Sequence, residues 1–470
     1  MYINGDWIQT EEQFNVINPA TNEVIGFVPN GGTKEAAYAV DAAYTAFKTW
    51  SQRTAVERSQ VLKKWHQLIE MHKEELAAIM TEEQGKPTNE ALGEAIYANS
   101  FVEWYSEEAK RIYGETIPAS VSNKRLFVIK QPVGVVAVIT PWNFPAAMIT
   151  RKVAPALAAG CTVIIKPAEQ TPLTAIKLAE LAHEAGIPKG VFNIVTGQPQ
   201  TIGETWLKDS RVRKISFTGS TEIGKLLMKG ASETVKKVSL ELGGQAPFIV
   251  FEDADLDDAV TSVIASKYRN TGQTCVCANR IYVQETIYDK FIEKFKTAVN
   301  ELKIGNGMDE GVNIGPLIDS DAIEKVNQHL KNATDLGAQI IYGEQQIEHL
   351  KGNFIKPTIV SHATDQMLCM IEETFGPLAP VSSFKTEEEV IHRANNTQYG
   401  LAAYVFTENI NLALRVSEQL EYGVIGLNDG MPAVPQAPFG GVKESGLGRE
   451  GGHYGIEEFL EVKYISLGIK

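Results

Sequence analysis

From residue 124 onward, short apolar runs alternate with amphipathic stretches of helical period, and that alternation most restricts the fold. "VGVVAVIT" (133–140) precedes the helical "AAMITRKVAPALAAG", and "CTVIIKP" precedes "TAIKLAELAHEAG". "VFNIVTG" with its own helix, "KISFTGS" before "TEIGKLLMKGAS", "KVSLELGG" and "APFIVFED" continue the series. Strands separated by helices of about ten residues or more cannot pair as hairpins, so a parallel, doubly wound α/β sheet is expected. A second series starts after 280 with "RIYVQ", "IYDKFIEKFKTAVNEL", "AQIIYG" and "LAAYVFT", which predicts a second α/β domain. Residues 33–113 read as helices, from apolar spacing at i, i+3 and i+4. The closing "GIEEFLEVKYISLGIK" ends as an apolar strand, which pairs either with another subunit or with its own domain.

The chain's 470 residues allow two or three domains. A net charge of −14, without a basic run, argues against a nucleic-acid partner. "MYINGDWIQTEE" has neither a basic nor an apolar leader region, and no apolar run approaches the roughly 20 residues of a membrane span. Four cysteines in so long a chain make no disulfide framework, so a cytoplasmic protein is expected. Cys275 and Cys277, in "YRNTGQTCVCANR", are followed by no His or Cys at metal-ligand spacing, and no metal is expected. No G-x-G-x-x-G follows the first strand. "FTGSTEIG" (217–224) offers a strand running through Gly219 into a helix start that can face a pyrophosphate, or a plain turn. Lys166 and Glu169 sit just after a strand's carboxyl end, where such sheets bind ligands.

"PWNFP" (141–145), "KPAE" (166–169), "FTGS" (217–220), "ELGG" (241–244), "GQTC" (272–275), "EETFGP" (372–377) and "PFGGVKESGLGRE" (438–450) occur together in order. In this the chain resembles the aldehyde dehydrogenase superfamily from about residue 17 to the C-terminus, and within it succinate-semialdehyde dehydrogenases. The resemblance implies a variant Rossmann dinucleotide-binding domain (1–113 and 132–243) and a second α/β catalytic domain (244–442). It also implies a small β oligomerisation element (114–131 and 443–470) in a homodimer or homotetramer.

The chemistry implied is NAD(P)-dependent oxidation of an aldehyde to an acid. Cys275 matches the nucleophile, whose attack makes a tetrahedral oxyanion. Asn143 and the Cys275 backbone N–H match its donors. Loss of hydride to a nicotinamide leaves a thioester, and Glu241 matches the base that activates water. Trp142, Lys166 and Glu169 match the adenosine side of the cofactor, Gly219 and Ser220 its pyrophosphate, Glu373 and Phe375 its nicotinamide ribose. Glu169 beside the adenosine ribose predicts NAD over NADP, with NADP possible.

Phe144, Met148 and Arg151 share a predicted helix face, an apolar wall ending in a cation, and Arg269 is a second cation. Both arginines match those that bind the substrate carboxylate, or each pairs with an acidic neighbour. The resemblance implies oxidation of succinate semialdehyde to succinate first; Ala433 and Val434 stand where the subfamily usually offers a hydroxyl, leaving glutarate semialdehyde or a broader aldehyde range as alternatives. Cys277 is read either as packing or as a redox partner that resolves a sulfenic acid on Cys275.

Overall fold

The five apolar runs between Val135 and Glu241 pair side by side in parallel, as the alternation requires. Across the sheet they lie in the order Lys237–Glu241, Val212–Thr218, Val135–Ile139, Thr162–Lys166 and Phe192–Ile194. The chain thus starts in the middle, runs to one edge, and returns to fill the other side. That reversal places a crevice between Val135–Ile139 and Val212–Thr218, where parallel sheets take their ligands. The register aligns the carboxyl ends: Ile139 pairs with Lys166 and with Phe217, and Thr218 with Glu241. "PWNFP", "KPAE", "FTGS" and "ELGG" therefore leave the sheet along a single rim.

This structure, a computed structural model, describes residues 1–343, 347 and 350–470. Helices Thr33–Trp50, Ala55–Met71, Lys73–Gln84 and Thr88–Glu108 occupy the predicted helical region. Thr54 and Glu57 start the second of these with reciprocal side-chain-to-backbone bonds of 3.3 and 2.7 Å. Helix Thr88–Glu108 packs on Ala147–Ala159, the helix that follows "PWNFP". Trp65, Phe101 and Tyr105 are fully buried in the core that joins these helices to the sheet.

The second sheet has the order Gln339–Tyr342, Thr358–Ser361, Leu378–Phe384, Ala278–Gln284, Ala246–Val250, Ala402–Phe406 and Val424–Leu427. All its neighbours are parallel except the first pair. The terminal strand Leu460–Gly468 pairs antiparallel with the chain's own Lys124–Pro132, which also carries Glu115–Ile117. Of the two pairings the sequence allowed, this is the one within the chain. Its outer edge has no ladder partner among the described residues. Residues 443–470 serve two sheets, because Gly446–Leu447 extends the first one beside Lys237–Glu241. Gly446 has φ +143°, and a Cβ there would lie 2.0 Å from the Leu240 carbonyl oxygen, so only glycine fits this close approach. Among the described residues no helix is long and apolar enough to cross a membrane.

Candidate active site

The loop carrying Cys275 begins with three successive left-handed residues, Asn270 (φ 50°), Thr271 (φ 57°) and Gly272 (φ 78°). For a β-branched threonine that conformation is strained, so neighbours must hold it. The Asn270 N–H donates to Glu90 Oε2 at 2.7 Å, and Thr271 Oγ1 donates to the Gly315 carbonyl at 3.0 Å. Gln273 is tied by its Nε2 to the Asn270 carbonyl and by its Oε1 to the Ile318 N–H. The turn delivers Cys275, half-buried, to the crevice of the first sheet. There it borders a cavity of about 360 Å³ together with Trp142, Asn143, Gly219, Ser220, Glu373 and Phe375. Residues spread over 233 positions (142 to 375) thus meet at the rim that the strand order creates.

Asn143 donates from Nδ2 to the Gln273 carbonyl at 3.0 Å, two residues before Cys275, so its amide already points at that loop. Trp142 meets Phe375 edge to face, with centroids 5.6 Å apart. Phe375 holds φ 55°. Glu373 accepts the Gly244 N–H at 2.9 Å, and burial lifts its carboxyl to about 7. Ser220 caps helix Thr221–Ala231 by accepting from the Ile223 N–H. Gly219 lines the cavity, but the space its missing side chain leaves is also needed by the Phe217 ring, 2.4 Å from where a Cβ would stand. Lys166 and Glu169 form an ion pair at the neighbouring strand end.

The electrostatics keep the resting thiol neutral. Burial, with the Glu373 and Glu241 carboxyls, pushes the Cys275 thiol up to about 12 against the pull of Arg151 and Arg269. Glu241 is itself pushed well above the carboxylate range, by burial first and then by Glu450, and its Oε2 has no hydrogen-bond partner. A carboxyl raised in this way binds a proton more tightly than an exposed one, which is what a group taking a proton from water requires.

Two expectations need correction. Arg151 does not end an open wall: it is 2% exposed, ion-paired with Glu450, and stacked 4.3 Å from the Phe439 ring centroid. Its Nη2 is buried without a hydrogen-bond partner, while its Nε faces Glu450 Oε2 in the ion pair. Arg269 is half-buried, lies 5.3 Å from the Phe144 ring centroid, and leaves its Nε without a partner. Cys277 is fully enclosed, and its Sγ meets Lys267 Nζ at 3.4 Å. A resolving thiol must be reached by solvent oxidant and partner; this one is packed against an ammonium.

Sequence reasoning passed over Glu450, Lys152 and Tyr97. Lys152 Nζ donates to Thr218 Oγ1 and to Glu450 Oε1, both at 2.5 Å. Burial opposes ionisation of Glu450, yet Arg151 and Lys152 outweigh it and hold the carboxyl below its usual range. Glu450 is thus a fixed anion acting on Glu241. It closes the quoted motif "PFGGVKESGLGRE", which was the available signal. The Tyr97 hydroxyl is raised by burial and lies within the fields of Arg151 and Arg269; nothing in its sequence neighbourhood marks it.

The family model described as "Aldehyde dehydrogenase family" matches residues 7–465. The chain belongs to the aldehyde dehydrogenase family. It is 56% identical over 470 residues to the glutarate-semialdehyde dehydrogenase of Pseudomonas putida, covering 100% of this chain and 97% of that protein. It is 54% identical to the NADP(+) succinate-semialdehyde dehydrogenase of Escherichia coli, covering 99% and 97%. The crystal structure of an aldehyde dehydrogenase from Brucella melitensis biovar abortus superposes with a TM-score of 0.98 at 56% identity, covering 100% and 97% of the two chains. An aldehyde dehydrogenase needs a nicotinamide dinucleotide, and the residues present fit one. A helix N-terminus at Ser220, a cavity open along the switch-point rim, and a buried carboxyl at Glu373 are the groups that would meet its pyrophosphate and ribose.

Proposed function

We propose that this aldehyde dehydrogenase oxidises a short aldehyde bearing a terminal carboxylate, either succinate or glutarate semialdehyde, with NAD preferred over NADP. The observation that carries the reading is the meeting of Cys275 and Asn143 in one cavity, with Arg269, half-buried and with its Nε unpaired, close enough to pull on the Cys275 thiol. Unpaired buried guanidinium donors are costly unless an anion answers them, and a substrate carboxylate does so. Cys275 attacks the aldehyde carbon, and Asn143 Nδ2, released from the Gln273 carbonyl, donates to the oxygen that becomes negative. The dinucleotide, when bound, accepts the hydride. Glu241 then takes a proton from the water that cleaves the acyl–sulfur bond, and the Glu450 anion beside it favours proton uptake. A base aimed at water supports acid formation over transfer of the acyl group to another acceptor.

The semialdehydes for which the Pseudomonas putida and Escherichia coli relatives are named differ by one methylene. Met431 borders a cavity of about 260 Å³ with Arg269, and Ala433 and Val434 follow without a hydroxyl. Where the subfamily offers a hydroxyl this chain has none, so Arg269 is the group proposed to hold the carboxylate of either semialdehyde. Glu169, paired with Lys166, supports NAD, because a 2′-phosphate would meet its carboxylate. We further infer a homo-oligomer, dimer or tetramer, with the sheet of 115–117, 124–132 and 460–468 as its joining element. Val462, Tyr464 and Leu467 on the free strand, 68%, 59% and 50% exposed, support it. Four unpaired cysteines and an acidic surface fit a reducing cytoplasm. The test is one assay panel of succinate semialdehyde, glutarate semialdehyde and uncharged aldehydes of matched length, each with NAD and NADP. Equal kcat/KM for charged and uncharged aldehydes would refute the carboxylate reading.

A further inference from the structure

Lys86 is 1% exposed, in a region where a hydrophobic residue of similar volume would ordinarily pack. Its ammonium pairs with Glu94, donates to the Asn143 backbone carbonyl at 2.7 Å, and lies 4.1 Å from the Phe144 ring centroid. The same Asn143 carbonyl accepts Asn270 Nδ2 at 2.9 Å, from the strained turn before the nucleophile. Glu94 Oε1 in turn accepts the Ala146 and Ala147 N–H groups at 2.9 and 3.2 Å. These open helix Ala147–Ala159, whose N-cap position, Ala146, has no side chain that could cap it. The loop bearing the oxyanion donor is therefore gripped at residues 143, 144, 146 and 147 by one buried ion pair, and pinned to the Cys275 loop by Asn270.

We propose that Lys86 is a positioning residue for Asn143, with Glu94 and Asn270 completing the clamp. The inference rests on the oxyanion role given to Asn143 above. A buried ion pair is a poor source of stability, because desolvation of both charges offsets their attraction. What it supplies is a fixed point. The Asn143 amide must turn from the Gln273 carbonyl toward the oxyanion while its own backbone stays still, and the Lys86 and Asn270 donors hold that backbone from both sides. A preorganised donor contributes only when it is aimed at the charge that develops.

The test is a double-mutant cycle read by the single-turnover rate constant for NADH formation, with saturating NAD and aldehyde. Asn143→Ala should slow this step by about 10²–10³-fold, the usual worth of one oxyanion donor. Lys86→Met, which keeps the apolar stem, should slow it about 10–100-fold while KM for NAD and aldehyde stays within about threefold. In the double variant the Lys86 effect should vanish, leaving a rate within about twofold of Asn143→Ala alone. A double variant slower than Asn143→Ala by the full Lys86→Met factor overturns the clamp alone, because the lysine would then act elsewhere. A rate within about twofold of wild type in Lys86→Met overturns it too. Wild-type rate in Asn143→Ala overturns the donor assignment and the clamp with it. Should Lys86→Met fail to fold, Glu94→Gln, isosteric and keeping an oxygen for Ala146 and Ala147, carries the same cycle with the same outcomes.

Discussion

A thiol at about 12 should be slow to alkylate, and the expected rate can be worked through. At pH 7.5 a free cysteine with pKa about 8.5 is roughly 10% thiolate, and a thiol at about 12 roughly 0.003%. That ratio, about 3,000, is partly offset because a more basic thiolate is a better nucleophile. With a Brønsted slope of about 0.45, the difference of about 3.5 pH units returns roughly 40-fold. Iodoacetamide should therefore modify Cys275 in the free enzyme about 80-fold more slowly than it modifies a free cysteine at pH 7.5. The logarithm of the rate should climb with unit slope from pH 8 to 9.5, above the range in which Glu373 ionises, with no plateau. Cys161, Cys277 and Cys369 are buried, so mass spectrometry should find the first label on Cys275, and Cys275→Ala supplies the blank. Glu373→Gln removes the first charge that acts after burial, and it should speed labelling at pH 8, where that carboxyl is ionised. A plateau below pH 9 would mean a preformed thiolate and would refute the reasoning.

Cys275→Ala should abolish turnover, while Glu241→Gln should keep a pre-steady-state burst of NADH and lose steady turnover; undiminished steady turnover in Glu241→Gln removes its role as base. Arg269→Ala should cost semialdehyde acids about tenfold to over a hundredfold in kcat/KM, the worth of a charge-assisted hydrogen bond, and uncharged aldehydes much less. Equal losses for both classes would make the arginine structural. Glu169→Ala should raise kcat/KM with NADP relative to NAD, and an unchanged ratio would place cofactor choice elsewhere.

The two sheets and the helices of 33–108 were legible because burial writes a period into sequence: near-continuous apolar runs for strands covered on both faces, i, i+3, i+4 spacing for helices. Cys275, Asn143 and Glu241 were legible only through the company of seven ordered motifs. Lys86, Glu94 and Glu450 were not, since a lone charge on a helix or in a loop reads as a solvated one. Lys86 and Glu94 are buried where helix Thr88–Glu108 packs on Ala147–Ala159, and Glu450 by pairing with Arg151 and Lys152 of that second helix, contacts that no local pattern encodes. Cys277 shows the same limit from the other side. Two thiols one residue apart look equivalent in sequence, yet the turn after Gly272 leaves Cys275 in the cavity and encloses Cys277 beside Lys267.

The pairing of Glu241 with Gly446 has a consequence for how the protein is made. The two residues are 205 positions apart (446 minus 241), and the C-terminal partner is also the stretch that brings Glu450. On a ribosome adding about 5–20 residues per second, strand Lys237–Glu241 waits roughly 10–40 s with its edge bare. The nascent first sheet therefore holds an unpaired strand ending in Glu241 until translation is nearly complete. Loss of the last 25 or so residues would then do more than trim a surface element. It would leave that edge open to other nascent chains and make aggregation, rather than a truncated monomer, the outcome.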